Sequence, residues 1–283
     1  MHRFLIFRTA ALSIALGGLW VGLTQQPPPA PLTIEKMADD LHVIVGSGGN
    51  VAVLTTSEGV ILVDDKFEQN VPEILAKVKS VSDKPIRYIL NTHQHGDHTG
   101  GNQKLMENAD IIAHKNARAN MVKAAQPGLP RITFRDETAV FLGGKEVQAH
   151  YYGRGHTNGD AIIYFPAHRV IHTGDLFVNG APLIDYTSGG SGIAWTATLD
   201  EALKLDFDRV IPGHGPIMTR AGLIAWKTSF EKVRERITKL KRDGKDVKEA
   251  AAQLKMDDLP GWPGPTRNWS ERSFPGLYQE LAR

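Results

Sequence analysis

Between Thr92 and Asn102 the chain reads Thr-His-Gln-His-Gly-Asp-His-Thr-Gly-Gly-Asn, which places three imidazoles and a carboxylate within the six positions from His93 to His98. Neutral imidazole and carboxylate are the donors that suit Zn²⁺. Alternate residues of an extended segment point to the same side, so His93 and His95 can share one ion. Asp97 and His98, at the entry to the next helix, can face a second. A merely polar loop is the plainer alternative, and the glycines and the preceding buried strand weigh against it. Cysteine is absent from the chain. That removes disulfides, thiolate catalysis and Cys-type structural zinc together, so any metal must sit on His, Asp or Glu.

The segment resembles the H-x-H-x-D-H signature of the metallo-β-lactamase superfamily. The remaining ligands of that family follow in order: His156 in Gly155-His156-Thr157, Asp175 in His172-Thr173-Gly174-Asp175, and His214 in Pro212-Gly213-His214-Gly215. Each of these short motifs alone is usually just a turn; the ordered set, running from Val43 to Thr219, is specific. The resemblance implies two zinc ions, with His93, His95 and His156 on the first, Asp97, His98 and His214 on the second, and Asp175 bridging. Iron or manganese is compatible with the same donors. Two such ions lower the pKa of a water between them toward neutrality, which is the chemistry of a hydrolase. Asp97 and His214 are the expected catalytic residues, Asp97 orienting the nucleophile or taking its proton and His214 helping to place the carbonyl.

Imidazole ligands need outer partners that fix their tautomers, and Asp64 and Asp65, just after a strand, are candidates. Among the remaining histidines, His172 and His114 lie nearest to the proposed ligand turns. Tyr151, Tyr152 and Tyr186 could offer a hydroxyl to a tetrahedral intermediate, Tyr186 being the best placed. Structural roles compete with each of these. Gly189–Gly192 adds a flexible element to the rim.

The elements that must position these groups follow from periodicity. Short β-rich runs at Leu41–Val45, Val51–Thr55 and Val60–Val63 form an antiparallel meander. Val71, Ile74, Leu75 and Val78 recur at helical spacing and lead into a strand at Ile86–Leu90 that ends at the histidine loop. A helix over Gln103–Asn108, a strand at Ile111–Ala113 and a helix near Ala117–Ala125 follow. The second half restarts with strands at Ala139–Leu142, Val147–Tyr152, Ala161–Phe165 and Val170–Thr173, then a helix at Thr196–Leu205 and a strand at Arg209–Ile211. This doubled rhythm predicts an α/β fold, a four-layer αββα sandwich of two mixed sheets, which is also the metallo-β-lactamase fold. A long helix over Thr219–Lys241 carries an apolar stripe of Leu223, Trp226, Phe230, Val233 and Ile237.

The chain has 283 residues, 41% hydrophobic and 23% charged, the composition of an ordinary globular protein. Its 33 basic and 31 acidic residues are scattered without a basic run, which argues against nucleic acid as a partner and for a small-molecule substrate. Arg3 and Arg8 precede an uncharged stretch from Thr9 to Leu23. That run is shorter than the roughly 20 residues of a permanent membrane span, so it reads as a signal peptide rather than an anchor. The expected organisation is a signal peptide over residues 1–24, a Pro-rich spacer over 25–38, a metallo-β-lactamase domain over 39–243 and a helical or irregular extension over 244–283. The mature protein is then periplasmic or secreted, with no stable membrane association.

Function splits on one residue. Superfamily members resembling glyoxalase II thioesterases, lactonases and phosphodiesterases carry a bridging aspartate like Asp175, where β-lactamases resembling the resistance enzymes place Cys or Ser. The expected activity is hydrolysis of an ester, thioester, lactone or amide-type bond. Export is what a periplasmic β-lactamase needs, so β-lactam hydrolysis is the alternative. A periplasmic metal-binding protein or scaffold with an unused site is the non-enzymatic one. The lactonase reading also expects a tyrosine close behind the aspartate, where this chain has Leu176, Phe177 and Val178.

Overall fold

The computed structural model describes residues 31–262 and 266–281. The expected signal peptide lies outside them, and no described helix is long and apolar enough to cross a membrane.

The first sheet runs β1 (Thr33–Lys36), β2 (Leu41–Val45), β3 (Val51–Thr55), β4 (Val60–Val63), β5 (Ile86–Asn91), β6 (Asp110–His114) and β7 (Ile132–Phe134), neighbours in that order. It is antiparallel to β4 and parallel from there to β7. The second sheet holds β8 (Glu137–Leu142), β9 (Lys145–His150), β10 (Ile162–Phe165), β11 (Val170–His172), β12 (Arg209–Ile211) and β13 (Met218–Thr219), likewise in sequential order. Its one parallel pairing is β11 with β12. Helices α1 (Val71–Lys79), α2 (Gly96–Thr99), α3 (Asn102–Leu105) and α4 (Lys115–Lys123) belong to the first half, and α5 (Gly192–Ala202), α6 (Arg220–Arg242), α7 (Val247–Gln253) and α8 (Phe274–Glu280) to the second.

Three apolar clusters show why the layers stack in this way. Val43, Leu54, Ile61 and Leu90 of the first sheet meet Val147, Ile163, Phe165 and Ile211 of the second. The alternate residues Ile44, Val53, Leu62 and Ile89 face outward onto Val71, Ile74 and Val78 of α1. Ile162, Ile171 and Val210 face outward onto Trp195 of α5 and Trp226, Phe230 and Val233 of α6. Central strands buried on both faces therefore read as continuous apolar runs, and the αββα order follows.

One expected boundary changes. The proposed spacer already contains structure: Leu32 is buried, and Thr33–Lys36 pairs with β2 from Thr33 opposite Val45 to Lys36 opposite His42. Four residues behind a proline run are too short to show a period, yet they cover a sheet edge. The helical or irregular extension after residue 243 packs back onto the domain. Trp262, Trp269, Phe274 and Leu277 join the cluster of Trp195, Trp226 and Phe230 on the outer face of the second sheet. Its prolines mask this in the sequence, but the aromatic surface must be buried and α6 offers the face. Smaller shifts follow from caps: α5 begins at Gly192 rather than Thr196 because the Ser191 side chain accepts the Ala194 amide, so the expected flexible Gly-Gly-Ser-Gly element is partly a buried helix start.

If the extension is part of one cooperative core, Trp262→Ala removes a buried indole from it and lowers the unfolding free energy by about 3–5 kcal/mol. A denaturant titration checks this, and a loss under about 1 kcal/mol would mark surface-level packing.

Candidate active site

The ligand candidates stand at the C-terminal ends of strands. β5 carries buried Ile89 and Leu90 to Asn91 and so delivers Thr92 and His93 to the sheet end. His95 precedes α2, which holds Asp97 and His98. Asp175 follows β11 and His214 follows the parallel β12, while His156 stands in the loop after β9.

These residues form two groups: His93, His95, His156 and Asp175, and Asp97, His98 and His214. In the first, His95 Nδ1 lies 3.1 Å from His93 Nε2 and 2.8 Å from His156 Nε2. In the second, His214 Nε2 is 3.1 Å from Asp97 Oδ2 and 3.4 Å from His98 Nε2. Asp175 divides its oxygens. Oδ1 is 3.2 Å from His98 Nε2 and 3.4 Å from His214 Nε2, and Oδ2 is 3.6 Å from His156 Nε2. Gly213 must be glycine because a Cβ there would collide with Asp175 Oδ1.

The outward-facing nitrogens show which atoms are free. His95 Nε2 donates to Asp185 Oδ2 (3.0 Å), His156 Nδ1 to the Leu183 carbonyl (2.6 Å) and His98 Nδ1 to Asp64 Oδ2 (2.7 Å). Thr92 Oγ1 stands 3.1 Å from His93 Nδ1. Each ring is thereby fixed with its other nitrogen turned inward, where it offers a lone pair once the ring is neutral. Three imidazole lone pairs converging near 3 Å repel unless a cation lies between them. A tetrahedral ion with N–metal bonds of about 2.0–2.1 Å would hold such nitrogens about 3.3 Å apart. Asp175 Oδ1 is buried without a hydrogen-bond partner, which a second cation would satisfy. The donor set fits a metal at both groups.

Electrostatics divide the set: against burial, Asp175 and Asp64 raise His98 well above the usual imidazole range and Asp97 and Asp175 raise His214, so these two carry a proton that a metal would displace. Burial drives the His93 imidazole well below its usual range and His156 down to about 4, so both are neutral donors. Burial pushes Asp175 up, but His98, His156 and His214 outweigh it and hold the carboxyl well below the ordinary carboxylate range. The side chains of His214, Asp97 and His95 are 41%, 25% and 24% exposed, whereas those of His98 and His156 are sealed at 0%. A substrate can reach the site only over the first three.

Asp64 lies directly behind the histidine segment. Oδ1 accepts the Thr92 amide and Oδ2 the Thr92 hydroxyl, both at 2.8 Å, in addition to His98. Asp65 accepts the Gly101 amide at 2.9 Å and does not touch an imidazole. His172 lies beneath the site rather than in it, donating to the Asn50 carbonyl (3.0 Å) and accepting the Gly174 amide (3.1 Å). Tyr186 turns away from the metal groups and donates to Glu280 Oε2 at 2.8 Å, so it is not the hydroxyl at the rim. Tyr186 opens the turn Tyr186–Ser188, and the wall that covers its ring is α8. Tyr151 stacks on His114 and Tyr152 on His150. His114 itself caps α4 and bonds the Arg135 carbonyl.

Sequence reasoning missed Asn50, Lys66 and Asp185. Asn50 joins the sheets through its backbone and side chain together: its amide bonds Gly213 O (2.8 Å) and its Nδ2 bonds Pro212 O (3.0 Å) and Gly215 O (2.9 Å), gripping the loop of His214. Neighbouring Gly49 donates to Asp97 O at 2.9 Å and lies so close to His98 that a Cβ would strike the ring. Lys66 is fully buried, with Nζ 2.6 Å from Gly49 O, and burial lowers its pKa to about 8. Its signal was the Asp64-Asp65-Lys66 run directly after an apolar strand, a charge density that buried chain rarely carries. Asp185 has no such local signal.

Residues 44–214 match the family model of the metallo-beta-lactamase superfamily, and the chain belongs to that superfamily. It is similar to metallo-beta-lactamase type 2 of Bacillus cereus, 28% identical over 181 residues that cover 62% of this chain and 70% of that one. It is also similar to the alpha subunit of 2,4-dinitroanisole O-demethylase from Nocardioides sp. (strain JS1661), 30% identical over 135 residues, 46% of this chain and 41% of that one. In fold it resembles the solved metallo-beta-lactamase from Pontibacter korlensis, with a TM-score of 0.65 and 19% identity over 71% of this chain and 99% of that one. The protein is thus a metal-dependent hydrolase with a His/Asp cluster able to hold metal.

Two outcomes follow. Asp64→Ala leaves His98 Nδ1 without its acceptor, and zinc affinity measured by chelator competition should fall about 10–100-fold. Burial also lowers His114 from 6.5 to about 4, so the unfolded chain takes up this proton first; stability is full near neutral pH and falls as pH drops from 6.5 toward about 4. Denaturant titrations of the metal-free protein across that window should show a shallower loss in His114→Gln.

Proposed function

We propose that this chain is an exported dinuclear zinc hydrolase that cleaves an ester, thioester, lactone or amide-type bond in a small molecule. His93, His95 and His156 would hold one ion, Asp97, His98 and His214 the other, and Asp175 both. The observation that carries this reading is the division of Asp175, one oxygen toward each group. Zinc is the metal this superfamily generally binds, and the imidazole-rich donor set suits it. Bound by these residues, a pair of ions would supply a water of lowered pKa and Lewis acidity toward the scissile carbonyl. Export rests on the sequence before Leu23.

The chain's own residues divide the remaining work. Burial pushes Asp97 up, but His214 and His98 bring it below the usual value, so its carboxylate is charged and accessible at the mouth. It orients the attacking water and takes its proton at Oδ2. His214, the most exposed of the set, places the carbonyl. Asp64, Asp185 and Leu183 O keep the rings from turning as charge moves.

Hydrolysis of β-lactams is the second reading, favoured by the similarity to the Bacillus cereus enzyme. Asp175 argues against it, because an added anionic ligand lowers the charge on the metal pair and changes its Lewis acidity. With zinc-loaded protein and a chromogenic cephalosporin, kcat/KM should stay well below about 10⁴ M⁻¹s⁻¹, while a thioester, lactone or phosphodiester panel gives a higher value. A cephalosporin rate above that mark would make β-lactams the substrate. On whichever substrate is turned over, Asp97→Ala and His95→Ala should each lower kcat/KM by about 100-fold or more with the fold intact, and a chelator should abolish turnover until zinc is returned. Turnover retained in either variant would contradict the two-metal assignment.

A further inference from the structure

The matched family region ends at residue 214, yet the C-terminal segment reaches back to the metal ligands through one loop. Residues 182–191 supply the outer partners of two of the three histidines: the Leu183 carbonyl for His156 Nδ1 and the Asp185 carboxylate for His95 Nε2. The loop is also tied to the ligand segment by its backbone, Asp185 N to His156 O at 2.8 Å and Ser191 N to Gly155 O at 2.9 Å. Within the loop, Asp185 Oδ1 accepts the Thr187 amide and hydroxyl and the Ser188 amide; the loop itself is held from the C-terminal segment.

Ser273, fully buried just before α8, accepts the Ile184 amide at 2.9 Å and donates to the Pro182 carbonyl at 3.0 Å. It brackets Leu183 from both sides. Glu280, at the end of α8, accepts the Tyr186 hydroxyl (2.8 Å) and the Gly192 amide (2.9 Å) on Oε2 and the Ser191 hydroxyl on Oε1. It ties together the two ends of the stretch 186–192 that directly follows Asp185 and places a negative charge at the start of α5, where the helix dipole favours it. The Tyr186 ring packs against Gly276, where a Cβ would not fit. Each of them ends on the loop that orients His95 and His156.

We propose that the C-terminal segment, through Ser273 and Glu280, is the positioning element of the three-histidine group, setting the tautomers and metal affinity of His95 and His156 but not of the Asp97, His98 and His214 group. This rests on the reading above that both groups bind metal. Glu280→Gln keeps the size of the side chain but leaves one acceptor for three donors, and Ser273→Ala removes the other bracket; both preserve the buried apolar surface.

The test uses the full chain. In a His98→Ala background, which leaves the three-histidine group as the zinc site, either substitution should weaken zinc binding about 10-fold in chelator competition. In a His156→Ala background the same substitutions should change it less than 2-fold, within the range expected of sites with no shared partner. Equal losses in both backgrounds, or none in either, overturn the proposal. Metal-free protein gives a second readout: imidazole ¹⁵N shifts should report a single tautomer for His95 (Nε2–H) and His156 (Nδ1–H) in the wild type and a mixture in Glu280→Gln or Ser273→Ala. Unchanged tautomers in whichever variant folds overturn it regardless of zinc. A wild type that binds no zinc while its tautomers respond would instead contradict the metal assignment and leave the positioning role standing.

Discussion

The site depends on a requirement of imidazole chemistry: a ring that turns one lone pair inward must have its other nitrogen occupied by a fixed partner. Asp64, Asp185, the Leu183 carbonyl and Thr92 meet that requirement for His98, His95, His156 and His93. Without them the rings would sample both tautomers and relieve their mutual repulsion by turning away. The outer partners come from three different stretches of chain, so the fold as a whole is recruited to keep a small volume polar and convergent. The burial that makes His93 and His156 neutral donors is part of the same arrangement.

A second constraint is that the ligands come from both sheets. His93 to His98 hang from the first, and Asp175 and His214 from the second. The loop of Gly49 and Asn50 spans the seam, bonding Asp97 on one side and the Pro212–Gly215 loop on the other, while His172 braces Asn50 from below. Sheet-on-sheet apolar packing sets the distance only loosely, because it is non-directional. Directed hydrogen bonds at the seam supply the register that a two-part site requires.

What the sequence disclosed follows the range of the underlying physics. Apolar periodicity is local, and it fixed β2, β3, β4 and β12 to the residue and the αββα order with them. The ligand motifs are local too, each a histidine or aspartate in a glycine-rich turn at a strand end. Asp185, Asn50, Ser273 and Glu280 are legible only through contacts across 90, 162, 91 and 89 residues of chain, and nothing next to them announces such partners. Tyr186 shows the opposite error: proximity in sequence to a ligand turn did not place its hydroxyl at the site, since the C-terminal helix captured it. The extension was unreadable because prolines interrupt its period while its aromatic residues carry its packing.

The measurement that bears most directly on the central claim is anomalous scattering from crystals grown with zinc, recorded on both sides of the zinc absorption edge. The account predicts two peaks in each chain, one among His93, His95 and His156 and one among Asp97, His98 and His214, with an oxygen of Asp175 within about 2.0–2.2 Å of each. A single peak, or two peaks with Asp175 ligating neither or only one, would contradict it.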